Sequence, residues 1–209
     1  RADRAYRDWK AVVDYLWEDE YEALLDVQAA RALQEAAAWA RMVNQARASG
    51  QCEGMVVEAS QRFDLSLSPP TVDLVNEGEV THEIIRTFAT QFLPEVQEET
   101  ISWGEKSLAA IVAELVESFK TGKAKYSMGL YIQQGGHAVL PYAVEFPNPD
   151  LAVIQLYDSN WPGKNRYVEV DLKAKQWRFS FSGKDPANDP AAWTGGQGFM
   201  DLTSLDTRG

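Results

Sequence analysis

The sequence predicts an α+β fold, with a helical first half and an antiparallel β-sheet second half. Two observations carry that prediction. Residues 1–48 contain neither glycine nor proline, and their apolar residues recur at helical spacing. After Lys123 the apolar residues alternate instead, in short runs separated by glycine, proline and asparagine turns. With 209 residues, 45% of them hydrophobic, the chain is long enough to bury a full core. It is expected to form a single domain, residues 1–122 as a helical lobe and 123–209 as a sheet lobe. A cleft between such lobes is the natural place for a site.

Trp9, Val12, Val13, Leu16 and Trp17 form a first apolar stripe, and Tyr21, Leu24, Leu25, Ala29, Leu33 and Ala37 a second, so one long or two consecutive helices are expected. The acidic cluster Asp14, Glu18, Asp19, Glu20 and Glu22 between them reads as a solvated face rather than a metal site. Met55, Val56, Ala59 and Phe63 predict a helix opening near Cys52. Residues 64–78, with Pro69 and Pro70, form an irregular crossing. Ile84, Ile85, Phe88 and Phe92 predict a further helix that Pro94 stops, with His82 as a surface residue near its start. A third segment spans residues 104–120, with Leu108, Ile111, Val112, Leu115, Val116 and Phe119 inward and Gly122 as the stop. Strands follow at Tyr126–Ile132, Ala138–Val144, Ala152–Tyr157, Tyr167–Val170 and Trp177–Phe181. Gly135-Gly136, Pro147-Asn148-Pro149-Asp150 and Pro162-Gly163 read as turns, and the residues beyond form a polar, glycine-containing tail.

The composition excludes several classes. One cysteine cannot form an internal disulfide, and with only two histidines, His82 and His137, it cannot build the usual structural zinc site. The seven tryptophans fall at core-like spacing, and no cofactor is called for. No apolar run approaches the ~20 residues of a membrane span, and the start does not resemble a signal peptide, so a soluble chain is expected. It begins with Arg1 rather than Met, which suits a processed product or a piece of a larger polypeptide, and the compartment stays open. A net charge of −11 argues against nucleic acid as the main partner, and suits either a basic or neutral substrate or solubility alone.

Cys52 stands where the loop broken by Gly50 turns into a helix. A free thiol of pKa ~8.5 is only a few per cent ionised at neutral pH, and the N–H groups at a helix start favour the anion. Cys52 is therefore a candidate nucleophile, against the alternative of a small buried hydrophobe. His137 follows a glycine pair that leaves room for a bound backbone beside the imidazole. A hairpin turn centred on Pro147–Asp150 sets His137 opposite position 160, with Asp158 its diagonal neighbour on the same face. Either Asp158 or Asn160 then approaches the ring. A histidine within reach of a cysteine accepts its proton, and a third group fixes the tautomer. The start of the Cys52 helix would hold an oxyanion, with Gln51 or Gln45 as the supporting side chain.

Gly50-Gln51-Cys52-Glu53-Gly54-Met55, Gly136-His137-Ala138-Val139 and Tyr157-Asp158-Ser159-Asn160-Trp161-Pro162-Gly163, taken in that order, resemble the Cys, His and Asp/Asn boxes of papain-like cysteine peptidases. They are most similar to the bacterial branch that includes secreted effector proteases of the Yersinia outer protein T kind. The resemblance covers roughly residues 44–170. It implies a papain-like arrangement, with a helical lobe carrying Cys52 against a sheet lobe carrying His137 and Asp158. It further implies cleavage of peptide bonds in a protein or peptide substrate, with Trp161 shielding the His–Asp pair from water. Ser159 departs from the proline usual after the acid, and Asn160-Trp161 is similar to the Asn-x-Trp of plant papains, which keeps Asn160 as the alternative third member. Fold alone does not set the acceptor. An acyl transferase or amidase with the same triad, or a non-catalytic papain-like binding module docking through its acidic N-terminal helices, are the other readings.

Overall fold

A computed structural model of the chain describes residues 27–208. The stripe from Trp9 to Trp17, residues Tyr21, Leu24 and Leu25, and the acidic cluster from Asp14 to Glu22 lie outside the described residues. The chain divides into two compact units, residues 1–50 and 51–209. The first contains α1 (Val27–Arg47), in which Ala36 and Val43 are buried and Leu33 and Ala37 half-buried.

The second unit carries four α-helices followed by a seven-stranded antiparallel sheet, a mixed α+β fold. The helices are α2 (Cys52–Asp64), α3 (Gly78–Ala89), α4 (Pro94–Gly104) and α5 (Leu108–Ser118). Pro94 does end the run from α3, but it also opens α4 at its first position, where a missing N–H costs nothing. That helix was not expected from the sequence. Gly122 terminates the helical part with φ +75°, a left-handed conformation open to glycine. No described helix is long and apolar enough to cross a membrane.

The strands are β1 (Tyr126–Ile132), β2 (Gly135–Asn148), β3 (Leu151–Tyr157), β4 (Arg166–Asp171), β5 (Gln176–Phe179), β6 (Trp193–Gly195) and β7 (Met200–Ser204), in the order β6-β5-β4-β3-β2-β1-β7. The sheet curls, so that β6 also approaches β1. The tail read as polar is thus a strand, with Met200 paired to Leu130 and Leu202 to Met128. Met200 and Leu202 alternate with Asp201 and Thr203 in a run too short after the glycine-rich loop to stand out, and the strand is buried along its whole length.

Alternation along the strands separates two apolar clusters. Met128, Leu130, Val139, Ile154 and Leu156 join Leu108, Ile111, Val112 and Leu115 of α5 in the main core. On the other face of β2, Ala138 and Leu140 pack against Val56 of α2. Helix α2 is held from a second side by α3. A β-carbon on Gly54 would lie 2.2 Å from the Ile84 carbonyl oxygen and 2.8 Å from Phe88 Cβ, so only glycine permits this approach. The Thr87 hydroxyl lies 3.0 Å from the Gly54 carbonyl oxygen. This two-sided packing places Gly54, Val56, Val57, Ala59 and Ser60 inside and leaves Phe63 78% exposed, contrary to the expected stripe.

The β1–β2 turn falls at Gln133-Gln134, since Ile132 pairs with Gly135, so the Gly135-Gly136 pair belongs to the strand rather than to a turn. Gly136 is small for a different reason. A β-carbon there would lie 2.8 Å from the ring of Tyr131, so the ring occupies the space the sequence reading left for a ligand. The β2–β3 hairpin closes one residue later than expected, with Asn148 opposite Leu151, but bulges between Pro141 and Ala143 and between Glu145 and Asn148 take up the difference. Leu140 faces Tyr157 and Pro141 faces Leu156, the register that points position 137 toward residues 158–160.

Replacing Gly54 by alanine overpacks the α2–α3 contact and is expected to destabilise the protein by about 1–3 kcal/mol in urea unfolding. Gly104→Ala, at a glycine with nothing within 4 Å of its would-be β-carbon, serves as the matched control and is expected to be near neutral.

Candidate functional site

Cys52 is the first residue of α2, immediately after the N-cap residue Gln51. The first intrahelical bond runs from the Met55 N–H to the Gln51 carbonyl at 3.0 Å, so the N–H groups of Cys52, Glu53 and Gly54 have no acceptor within the helix. The packing of Val56 on Ala138 and Leu140 brings this helix start onto β2, where the Ala138 N–H donates to Cys52 Sγ at 3.4 Å. The thiol is half-buried. Gln51 turns its Oε1 into a buried position where it accepts no hydrogen bond, and it does not cap the helix with its side chain. Gln45 is an exposed residue of α1, in the other unit.

The residue before Ala138 is His137, with 4% of its surface exposed and its side chain within hydrogen-bonding reach of Cys52. Its Nε2 donates to Asp158 Oδ1 at 2.8 Å. The same oxygen accepts the backbone N–H of Asn160 at 3.0 Å, and Arg166 Nε stands 3.7 Å from Oδ2. Of the two candidates for the third position, then, Asp158 brings its side chain to the ring, whereas Asn160 contributes only its backbone and is exposed. Asp158 is buried at the end of β3, and the Trp161 N–H donates to its carbonyl at 2.9 Å to close a turn.

With Nε2 engaged by Asp158, Nδ1 is the nitrogen left for the thiol. Burial alone would lower the His137 pKa, but hydrogen bonds to Asp158 and Cys52, with their charges, raise it to about 9. Burial would likewise raise the Asp158 carboxyl. The hydrogen bond and charge of His137, the Asn160 N–H and the Arg166 guanidinium hold it below its ordinary value instead. The carboxylate is therefore ionised at neutral pH, and the imidazole is more basic than a free histidine and so a better acceptor for the thiol proton.

Phe179 stacks on the imidazole at 6.0 Å between centroids and Phe181 meets it edge-on at 5.2 Å, with Trp193 stacked on Phe181 at 4.9 Å. These rings, rather than Trp161, cover the histidine. Trp161 lies against Gly183 and over the Arg166 guanidinium at 6.0 Å, with its Nε1–H donating to the Phe181 carbonyl. Its contacts are with Arg166 and the 181–183 loop, not with the imidazole. The roles of Arg166 and Phe181 carried no signal in the sequence. A lone arginine at a strand start and a phenylalanine at the end of an alternating run look like ordinary surface and core residues.

His82 lies exposed in α3. Among the described residues no group of three or more His, Cys, Asp and Glu side chains is arranged to hold a metal ion. The assembled parts are a thiol at a helix start, an imidazole able to exchange a proton with it, and a buried carboxylate fixing the ring. Such a set can move a proton from sulfur to nitrogen and leave a nucleophilic anion beside N–H donors.

Compared with known protein families, curated proteins and solved structures, the chain matches none.

Because His137 is more basic folded than unfolded, its pairing contributes stability that is complete below pH ~6.5 and lost as pH rises through about 9. Asp158→Asn removes the main cause of that shift and should bring the His137 midpoint down toward the ordinary histidine value. Proton NMR of the imidazole C–H signals reads this directly, with His82 as the only other histidine. An unchanged His137 midpoint would contradict the pairing.

Proposed function

We propose that this chain is a papain-like cysteine peptidase that cleaves peptide bonds through an acyl-thioester on Cys52. The observation that carries the reading is the meeting of three residues distant in sequence. The thiol touches β2 across 86 positions, and the adjacent imidazole binds Asp158 across 21. The order and types of the three boxes, and the helix start at Cys52, support the same reading.

The chemistry follows from the geometry. The Cys52 thiol gives its proton to His137, and the thiolate attacks the peptide carbonyl carbon, forming the C–S bond and placing the carbonyl electron pair on oxygen. The N–H groups of the first turn of α2, which have no acceptor within the helix, are the donors available to that oxyanion, and the removal of one such donor costs about 2.7–4 kcal/mol in well-studied hydrolases. Collapse breaks the C–N bond, and the imidazolium protonates the departing amine. Water then attacks the thioester, gives a proton to His137 and releases the acid, restoring the thiol. Asp158 remains ionised throughout and keeps the ring turned toward sulfur. Phe179 and Phe181 keep water from the imidazole–carboxylate pair, which strengthens it.

Cys52→Ala is expected to abolish turnover in a peptide library read by new N-termini, with little change in unfolding midpoint. His137→Ala should lower the rate by about 10²–10⁴-fold and slow the alkylation of Cys52 by iodoacetamide at pH 6. Turnover that survives Cys52→Ala removes the proposal. Conjugated amines in place of new N-termini would assign the same acyl-thioester to a transferase.

A further inference from the structure

Beside Cys52 lies a cavity of about 350 Å³ between α4 and the β1–β7 edge of the sheet. It adjoins the candidate site through two residues. Glu53, in its wall, follows Cys52 directly, and Tyr131, also in its wall, lays its ring against Gly136, the neighbour of His137. The volume is at the small end of ligand sites and suits one long side chain rather than a whole small molecule.

The charges in the wall differ in how far they are used. Arg208 is 4% exposed and already engaged by several partners. It forms an ion pair with Glu53, and its N–H groups reach Ser127 Oγ at 3.0 Å, the Ser204 carbonyl at 3.2 Å and Thr90 Oγ1 at 3.5 Å. Glu53 is thereby neutralised and also accepts the Ser127 hydroxyl at 2.9 Å. Among the described residues Asp201 forms no ion pair, and the Arg208 charge that acts on it is committed to Glu53. Its Oδ1 accepts the Gly129 N–H at 3.2 Å, and it hydrogen-bonds with Tyr131. Burial raises its pKa to about 7, and the charge of Glu53 adds to this against the hydrogen bonds from Tyr131 and Gly129. An arriving cation would relieve that cost, whereas an anion would find the guanidinium already taken. Phe92, Ile101 and the Tyr131 ring supply apolar wall for an aliphatic stem.

We propose that this cavity is a subsite for a basic side chain, lysine or arginine, of the peptide bound at Cys52, with Asp201 as its counter-charge. The role as a peptide subsite rests on the peptidase reading, while the affinity for a cation does not. The net charge of −11 favours the approach of such substrates.

The test has two arms. Calorimetric titration of the full chain carrying Cys52→Ala with agmatine, a four-carbon stem with a guanidinium at one end and an ammonium at the other, should show binding that weakens at least tenfold on adding Asp201→Asn. Gln97→Lys, which sets a tethered cation at the exposed α4 rim of the same cavity, should also block it, and this variant does not disturb the buried hydrogen bonds. In the second arm, the protein with Cys52 intact should cleave peptides with lysine or arginine at one fixed position beside the scissile bond at least tenfold better than norleucine peptides, and Asp201→Asn should erase that ratio. Agmatine binding without cleavage of any peptide supports the cation site and overturns the peptidase reading alone. No agmatine binding, equal binding by Asp201→Asn, or cleavage indifferent to basic residues overturns the subsite.

Discussion

The burial of one carboxylate constrains more of this protein than any other interaction. Asp158 is 1% exposed, and an ionised group removed from water costs several kcal/mol unless its partners are well placed. Its partners come from three separate stretches: His137 on β2, the Asn160 N–H in the loop after β3, and Arg166 at the start of β4. Arg166, itself 2% exposed, also donates to the carbonyls of Ser180 and Lys184. The segment that follows β5 is thus fixed from below by the same ion network, and Asp189 holds it from the side through the Ser180 and Ser182 hydroxyls, each at 2.6 Å. That segment carries Phe181 onto the imidazole. The cover over the histidine is therefore a consequence of how the charge beneath it is neutralised.

How much of this was legible in the sequence depended on whether a residue's environment was local. The helix-then-sheet order came from periodicity, which is a local property, and it held from α2 to β5. The register of β2 against β3 also emerged correctly at Leu140–Tyr157, but for an incomplete reason. The turn closes later than its residues suggest, and two bulges restore the offset, one of them beside Pro141, which has no N–H to give to the ladder. Helix α4 and strands β6 and β7 were missed because their apolar residues are few. What stabilises them is distant, such as β1 beside β7 and the Glu99 carboxylate accepting the Ser204 N–H at 3.0 Å.

The site divides along the same line. Cys52, His137 and Asp158 were readable as candidates because each sits in a short box whose residue types carry chemistry. The choice between Asp158 and Asn160 was not readable, since residues two apart share a face, and only the turn closed by Trp161 decides which side chain faces inward. The glycine before His137 misled for a related reason. A missing side chain reads as vacancy in a sequence, while here the ring of Tyr131 fills it. Asp201 and Arg208 gave no sign at all, because a polar strand and a short terminal turn resemble a tail until their partners across the sheet are known.

The nucleophile reading asks more of α2 than proximity, since effective catalysis by a positioned group needs its geometry held to within about 0.5 Å. The helix has anchors of three kinds within five residues of the thiol. Glu53 is bound by the buried Arg208, Gly54 is pressed against α3 with no space for a methyl group, and Val56 is fully buried against β2. The three contacts reach three different parts of the chain: Arg208, α3 and β2. A cysteine retained merely as a small apolar residue would not require this, because one packing face suffices to bury a side chain of its size. The convergence of an ion pair, a glycine contact and an apolar contact on the first turn of α2 is the arrangement expected where the position of one sulfur atom matters.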